Sequence, residues 1–456
     1  MRPPWRVPPL LRQRVFRDYW SAQSISMLGD QVSALALPLV GVLTLHASPA
    51  EMGVLTALVW APNLVFAVHA GALTDRLGRR RRVMIASDLG RAVLLVSVPV
   101  AAWMDVLTMA QLYAVAFAVG TLSVFFNVSD ATLFMCVVER EEFMAANSLV
   151  YGSRAATFMA GPSLGGIITQ VVTAPAALLV DAVSFLASAT FLGRIAPAEP
   201  PPQPPEPGHV TAGVRYVRGS PIVFYELASC AMVNFFNFAY FAIFLLYATR
   251  ELHVRAGTLG VILGAAAVGS LMGAAVTGRI ANRIGVGPAF CLGIVLFPAP
   301  LILVPLAGGP HALVLAFLFL AEFGSGVGVM ILDITAGSIN ASVVPGRLRA
   351  RVAGAFSIVN YGVRPLGALA AGGGGVGDRH PRHALDRNDQ RGAERALARA
   401  LAAAAPADAA RRADRGPAAR YGAGARGRRT VNRLPSPTVL VASTVPPMAP
   451  TRPWTM

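Results

Sequence analysis

Two carboxylates lie near the middle of long apolar segments, where a charge is costly and is usually kept for function. Asp30 interrupts the segment 20–45, and Glu322 interrupts the segment 311–340. Counted from a boundary near Tyr19 at about 1.5 Å per residue, Asp30 lies about 16 Å deep, near the middle of a ~30 Å hydrocarbon layer. A carboxylate that faces water at this depth can take up and release a proton. The sequence predicts both as proton-coupling candidates, with a structural carboxylate paired to an arginine as the alternative.

Among the other charged residues inside apolar segments, four are further candidates. Asp88 and Arg91 are spaced i and i+3, so a helix brings them to one face and favours a structural pair. Arg154 and Arg364 can neutralise carboxylates or meet an anionic substrate. Asp30 therefore has three possible partners, Arg91, Arg154 and Arg364.

The elements that carry these residues are apolar segments of about twenty residues. Of 456 residues, 55% are apolar and only 14% are charged, and the mean hydropathy is +0.56, which excludes an ordinary soluble protein. No P-loop, H-E-x-x-H or nucleophile-elbow motif occurs, so the sequence does not indicate an enzyme. The three cysteines lie far apart. Neither a metal site nor a cofactor is predicted.

Eleven apolar segments predict an all-helical membrane protein. Six precede and five follow a proline-rich break, at 20–45, 52–73, 83–103, 109–135, 145–171 and 175–193, then 222–248, 257–280, 287–306, 311–340 and 350–371. The predicted organisation is a six-helix bundle (1–195), a cytoplasmic proline-rich linker (196–220), a second bundle with five spans (221–371) and a basic tail (372–456).

The positions of the arginines predict the topology. All 39 basic residues are arginines and the net charge is +16. When successive gaps are assigned to opposite sides of a bilayer, nineteen arginines fall on one side and only Arg250 and Arg255 on the other. The positive-inside rule then places the N-terminus in the cytoplasm. We expect a multi-pass protein of the bacterial inner membrane whose basic residues meet lipid and not nucleic acid.

Two short internal matches predict that the halves are repeats. Residues 71–78 (G-A-L-T-D-R-L-G) recur as 278–285 (G-R-I-A-N-R-I-G), an offset of 207, and residues 151–154 (Y-G-S-R) recur as 361–364 (Y-G-V-R), an offset of 210. Each match lies at the corresponding place in its half. Parallel six-helix repeats of this kind occur in transporters.

Two motifs resemble those of the major facilitator superfamily. The loop G-x-x-x-D-R-x-G-R-R resembles the signature loop of that superfamily, across Gly71, Asp75, Arg76, Gly78, Arg79 and Arg80. A second set resembles the motif of its antiporters, with Thr157 in place of one glycine; it comprises Gly152, Gly161, Pro162, Gly165 and Gly166. The stretch 126–166 resembles the bacterial branch that contains enterobactin and macrolide exporters.

The resemblance implies a function for each motif. The loop would act as a conformational switch in which Asp75 meets the start of the eleventh helix, and the antiporter-like motif would form an interface between the bundles. A topogenic anchor and simple tight helix packing are the respective alternatives. The implied activity is proton-coupled efflux of small amphipathic, drug-like or macrolide-like compounds by alternating access, in a monomer. A siderophore exporter or an inactive, truncated product is the alternative.

The sequence changes character after residue 371. The last 85 residues hold fifteen arginines and six acidic residues and contain no twenty-residue apolar run. The twelfth helix that the repeat predicts is therefore missing. We expect either a shift of reading frame near codon 372 or a basic, disordered tail; resequencing that restores no apolar twelfth span would exclude the frameshift.

Overall fold

The computed structural model describes residues 8–197, 199, 209–345 and 348–373, and these residues form helices and no strand. The helices of the first half are α1 (Arg14–Leu39), α2 (Pro49–Leu77), α3 (Arg80–Trp103), α4 (Met109–Val137), α5 (Phe143–Val172) and α6 (Ala174–Arg194). Those that follow are α7 (His209–Gly219), α8 (Pro221–Arg250), α9 (Ala256–Ile284), α10 (Val286–Leu296), α11 (His311–Val343) and α12 (Arg349–Gly373). The predicted tail lies almost entirely outside the described residues.

Local sequence signals set the helix ends. At the start of α2, the Ser48 hydroxyl accepts from the Glu51 backbone N–H, and the Glu51 carboxylate accepts from the Ser48 backbone N–H. This capping box satisfies two amide groups that the first turn leaves unpaired. The helix ends at Gly78 with φ 57°, a left-handed conformation that glycine adopts without steric cost.

Ten helices within the described residues are long and apolar enough to cross a membrane. The eleventh predicted span corresponds to α12, which is not apolar enough by composition because it carries Arg351, Asn360 and Arg364. It nevertheless packs against α2 and α8 as a member of the bundle. The all-α membrane architecture is thus confirmed.

One helix lies within the predicted linker. Residues 209–219 form α7, which packs against α8 and α12. Val217 joins a small buried cluster with Val223 and Val352. The composition that indicates an extended linker ends at residue 208, and the apolar residues beyond it have a helical period and a surface on which to pack.

The helix ends form two faces, because consecutive spanning helices run in opposite directions. Among the described connecting residues, the arginine-rich face holds 78–79, 138–142, 195–197, 220, 285, 344–345 and 348, and the arginine-poor face holds 45–48, 104–108, 173, 251–255 and 304–310. These two names are used below.

The two halves share a core only toward the arginine-poor face. One buried cluster joins Leu55 and Leu178 of the first half to Phe244 and Leu259 of the second. Near the arginine-rich face the buried clusters are separate, one built from the first half around Phe16, Met84 and Leu133, and one from the second half around Val217, Val223 and Val352. Within the described residues, the bundle is therefore closed by a shared core at the arginine-poor face, whereas the buried clusters near the arginine-rich face each belong to one half.

Candidate functional site

Asp30 pairs with Arg91 of the neighbouring helix α3. The Arg91 Nη1 atom lies 3.8 Å from Asp30 Oδ1, and the Arg91 Nη2 group donates a hydrogen bond to Asp88 Oδ1. Arg91 and Asp88 are buried, whereas the Asp30 side chain is 48% exposed. The structure thus selects Arg91 among the three possible partners of Asp30. Asp30 is thus the most exposed carboxylate of the cluster.

A third carboxylate, Asp181 of α6, completes this acidic cluster. The Ser184 hydroxyl donates a 2.9 Å hydrogen bond to Asp181 Oδ1, and a side chain at Gly29 would overlap that oxygen. Asp181 is buried and interacts electrostatically with both Asp30 and Arg91. Three carboxylates therefore share one guanidinium, and a proton on one of them reduces the excess negative charge. No group of three or more His, Cys, Asp or Glu in the described part of the chain is arranged to hold a metal ion.

Packing fixes the position of the Arg91 guanidinium. Its carbon lies 4.5 Å from the centre of the Phe126 ring and 3.9 Å from that of Phe185. Both contacts are cation–π interactions, which strengthen where water is excluded. The rings hold the charge between α1, α4 and α6.

A second polar group surrounds Asp130 of α4. The Tyr19 hydroxyl donates a 2.6 Å hydrogen bond to Asp130 Oδ1, and Gln23 donates to the same oxygen. Arg154 of α5 is close enough to interact with this carboxylate electrostatically. Asp130 and Asp181 were not among the sequence-predicted residues, although the rule that selects Asp30, a charge inside an apolar segment, applies equally to both.

Glu322 has a tyrosine partner in the second half of the chain. The buried Tyr240 hydroxyl donates a 3.0 Å hydrogen bond to Glu322 Oε1. The Tyr240 ring stacks on Phe244 at 5.0 Å. Within the described residues, Glu322 forms no ion pair with Arg91, Arg154 or Arg364. Its predicted role in proton coupling stays a prediction.

Arg364 lies at midspan among three aromatic rings. Its guanidinium carbon is 4.5 Å from the ring centre of Trp60 on α2, 4.8 Å from that of Phe238 on α8 and 4.5 Å from that of Tyr361 on α12. Trp60 and Phe238 also contact each other edge to face at 5.1 Å. The group thus joins the first half of the chain to the second.

The antiporter-like motif lies where α5 meets α1 and α9. A Cβ at Gly161 would come within 2.5 Å of the Gln31 side chain, and one at Gly165 within 3.1 Å of Val32. A Cβ at Gly166 would lie 2.8 Å from Gly260 Cα of the second half. Pro162 lies inside the helix, and its carbonyl faces Gly260. Only glycine permits this backbone approach.

A second glycine crossing repeats the first. A Cβ at Gly53 of α2 would lie 2.7 Å from the Ala368 carbonyl oxygen and 2.9 Å from Gly372 Cα of α12. The pairs Gly53–Gly372 and Gly260–Gly166 occupy corresponding helices of the two halves, and both lie toward the arginine-poor face. Gly152, at the other end of α5, has open space on its Cβ side.

The signature-like loop meets an acidic residue at the start of α3. The backbone N–H groups of Arg80 and Arg81 donate to Glu199 Oε2 and Oε1 at 2.5 and 3.1 Å. A carboxylate is favourable at a helix N-terminus because it satisfies free amides and opposes the positive end of the helix dipole. Arg79 is the residue that precedes α3, and Gly78 ends α2. Gly71 lies in α2. The side chains of Asp75 and Arg76 lie outside what the structure describes, so the predicted contact of Asp75 stays a prediction.

A bundle of apolar helices whose halves share a core at one face, with charged clusters at midspan, is an architecture that membrane transporters use. Residues 19–368 match the sequence profile of the Major Facilitator Superfamily. The chain belongs to this family, which makes it a transporter and not an enzyme.

A curated relative and three solved structures are similar to the chain. An uncharacterised MFS-type transporter of Bacillus subtilis (strain 168), YfiS, is 26% identical over 238 residues, which cover 50% of this chain and 55% of that relative. The nucleoside transporter NupG has a TM-score of 0.65 at 12% identity, over 86% of this chain and 97% of that one.

The two other structures are an inward-facing bacterial homologue of the lysosomal transporter Spinster and a bacterial homologue of ferroportin. The first has a TM-score of 0.65 at 12% identity, over 87% of this chain and 95% of that one. The second has a TM-score of 0.63 at 14% identity, over 87% and 98%. At 12–14% sequence identity, these structural similarities support a shared fold and no shared function.

Proposed function

We propose that the protein exports small amphipathic compounds from the bacterial cytoplasm in exchange for protons, by alternating access. The observation that carries this proposal is the half-exposed Asp30, which shares the buried Arg91 with Asp88 and Asp181. An excess of carboxylates over cations at midspan gives the carrier a group whose charge a proton can change. A buried pair of one carboxylate and one arginine would have no excess negative charge for a proton to neutralise.

The conformation of the described state determines where the proposed transport cycle starts. With the arginine-rich face in the cytoplasm, the described state is open inward. Asp30 then releases its proton to the cytoplasm as substrate binds. Reorientation separates the glycine crossings at the arginine-poor face, and a proton from outside returns the carrier. Because only the loaded and protonated forms reorient, proton entry drives export.

The signature-like loop and the antiporter-like motif have roles in this cycle. The loop is the conformational switch at the cytoplasmic face, and the motif is the interface that limits leakage between the halves. Gly166 supports the second assignment, since it contacts Gly260 across the halves. The carrier works as a monomer in the inner membrane, because each cluster at midspan is complete within one chain.

The test is transport into inverted membrane vesicles that contain the full chain, with fluorescent dyes and macrolides as substrates and an imposed pH gradient. We expect wild-type protein to accumulate substrate and Asp30→Asn to abolish accumulation. Exchange of labelled for unlabelled substrate without a gradient should persist in Asp30→Asn, because exchange needs no net proton movement. Asp105→Asn, the same substitution in an exposed connection, is the control and should transport like wild type.

Two outcomes would contradict the proposal. Gradient-driven accumulation at the wild-type rate by Asp30→Asn would remove Asp30 from coupling. Wild-type protein that accumulates none of the dyes or macrolides while present in the membrane would remove the drug-like substrate class.

A further inference from the structure

Arg364 carries a charge that no carboxylate neutralises directly. Within the described residues no acidic oxygen lies within 4.0 Å of its guanidinium, and its Nε atom is buried without a hydrogen-bond partner. Asp333 is the carboxylate that interacts with it at longer range. A guanidinium keeps its proton in proteins. An unpaired charge at midspan is costly, and an anion that binds there lowers this cost.

The repeat-equivalent arginine has a different environment. Arg154 is exposed and interacts with Asp130, which two other groups also hold in place. Each arginine thus interacts with a carboxylate only at longer range. Arg154 is exposed, however, whereas Arg364 is partly buried among aromatic rings, so the second copy of the repeat holds the more buried guanidinium without an ion pair.

The surrounding rings determine which anion fits. Trp60, Phe238 and Tyr361 lie 4.5–4.8 Å from the guanidinium carbon. A guanidinium donates hydrogen bonds from the N–H edges in its own plane, and such an edge binds a carboxylate through two parallel hydrogen bonds. The three rings are only partly buried, so they also offer apolar surface to a planar group attached to that carboxylate.

Two amides extend the polar part of this group. Asn234 and Asn360 lie one helical turn from Phe238 and Arg364, toward the arginine-rich face, and the Asn234 amide donates to Asn360 Oδ1 at 3.4 Å. They add hydrogen-bonding groups on the side of Arg364 that faces the arginine-rich face. Trp60 comes from α2, whereas the other residues come from α8 and α12, so a ligand held here contacts both halves.

We infer that Arg364, Trp60, Phe238 and Tyr361 form a binding subsite for an aromatic carboxylate, so that planar organic anions are among the amphipathic compounds transported. The inference rests on the proposed function, since it names the substrate class of the same carrier. The structural alternative is that the rings and Arg364 only join α2 to α12.

Binding of 2-naphthoate to the purified full chain tests this subsite without a gradient. We expect isothermal titration to give a Kd that rises about tenfold or more in Arg364→Gln, because a charge-assisted, bidentate contact is lost. Arg364→Lys should lie between the two, since it keeps the charge and loses the planar fork. Arg154→Gln is the matched control at the repeat-equivalent position and should bind like wild type.

A second variant and a second ligand separate binding from folding. Trp60→Leu keeps the charge and removes the ring, so it should weaken 2-naphthoate binding more than hexanoate binding. The cation 2-naphthylmethylammonium should bind wild type more weakly than 2-naphthoate does. Equal 2-naphthoate affinity in wild type and Arg364→Gln, preference for the cation, or no 2-naphthoate binding by the folded wild type would each overturn the inference. None of these results depends on Asp30, so failure of proton coupling is distinguishable from failure of this subsite.

Discussion

At the residue scale, Arg91 is the charge on which the acidic cluster depends. It is 2% exposed and is paired with Asp88, which is fully buried. Asp30 and Asp181 interact with the same guanidinium. Removal of one partner from a buried pair leaves an uncompensated charge, which costs more than the pair itself contributes.

Arg91→Gln should therefore destabilise the protein strongly. We expect a loss of ~3–5 kcal/mol in the free energy of unfolding, measured as a lower Tm of the purified protein. Arg91→Lys should lower the free energy of unfolding by less, because it keeps the positive charge. It should still fall below wild type, because it loses the contacts with Phe126 and Phe185.

Asp181→Asn should not lower the Tm as Arg91→Gln does. It removes a negative charge from a cluster with an excess of them, so the Tm should stay the same or rise. A fall in Tm with Asp181→Asn as large as that with Arg91→Gln would show that the three carboxylates are not in excess over their counter-charge.

At the element scale, two pairs of helices close the arginine-poor face through glycine contacts. The pair α5 and α9 meets at Gly166 and Gly260, and the pair α2 and α12 meets at Gly53 and Gly372. Each contact brings backbone against backbone, so there is no flexible side chain that can move aside. Closure at this face depends on the absence of a Cβ at these positions.

Gly260→Ala should shift the protein away from the closed state of the arginine-poor face. The new Cβ would overlap the Pro162 carbonyl oxygen and lie 2.9 Å from Gly166 Cα, and such overpacking costs ~1–3 kcal/mol. Spin labels at Val171 and Val261, two exposed residues near this crossing, should report a longer distance by pulsed electron spin resonance.

Gly278→Ala on the same helix is the matched control. No atom lies within 4 Å of a Cβ at Gly278, and alanine favours a helix over glycine by ~1 kcal/mol. Its distance distribution should match that of wild type. If Gly260→Ala also left the distribution unchanged, the glycine crossing would not determine closure.

At the scale of the whole molecule, the distribution of arginine separates the two faces. The arginine-rich face also carries α7 and the buried start of α3, whereas the arginine-poor face carries the core that both halves share. The proposed direction of transport depends on which of these faces meets the cytoplasm.

Cysteine labelling in intact cells should assign the two faces. In a background without the three native cysteines, Asp105→Cys lies on the arginine-poor face and Glu141→Cys on the arginine-rich face, both in exposed connections. A membrane-impermeant maleimide should label the first variant and not the second. Both variants should react after permeabilisation, and the reverse pattern in intact cells would invert the predicted topology.

The amino-acid sequence by itself determined the spanning helices and their order, although not the short helix α7. A lipid layer supplies no hydrogen bonds, so an apolar run of about twenty residues has to satisfy its backbone as a helix wherever it packs. The repeat, the two motifs and the pair Asp88–Arg91 could also be recognised from the sequence, because each is a pattern of residue types and spacings along the chain. The family follows from the same local patterns.

Only the tertiary structure decided which residues meet between helices. That Asp30 takes Arg91 and not Arg154 or Arg364, that Asp181 joins them, and that Trp60 reaches Arg364 all depend on how distant helices rotate and cross. The same holds for the closed arginine-poor face, since Gly53 and Gly372 are far apart in the chain. These contacts arise from the packing of whole helix surfaces, which no single segment encodes.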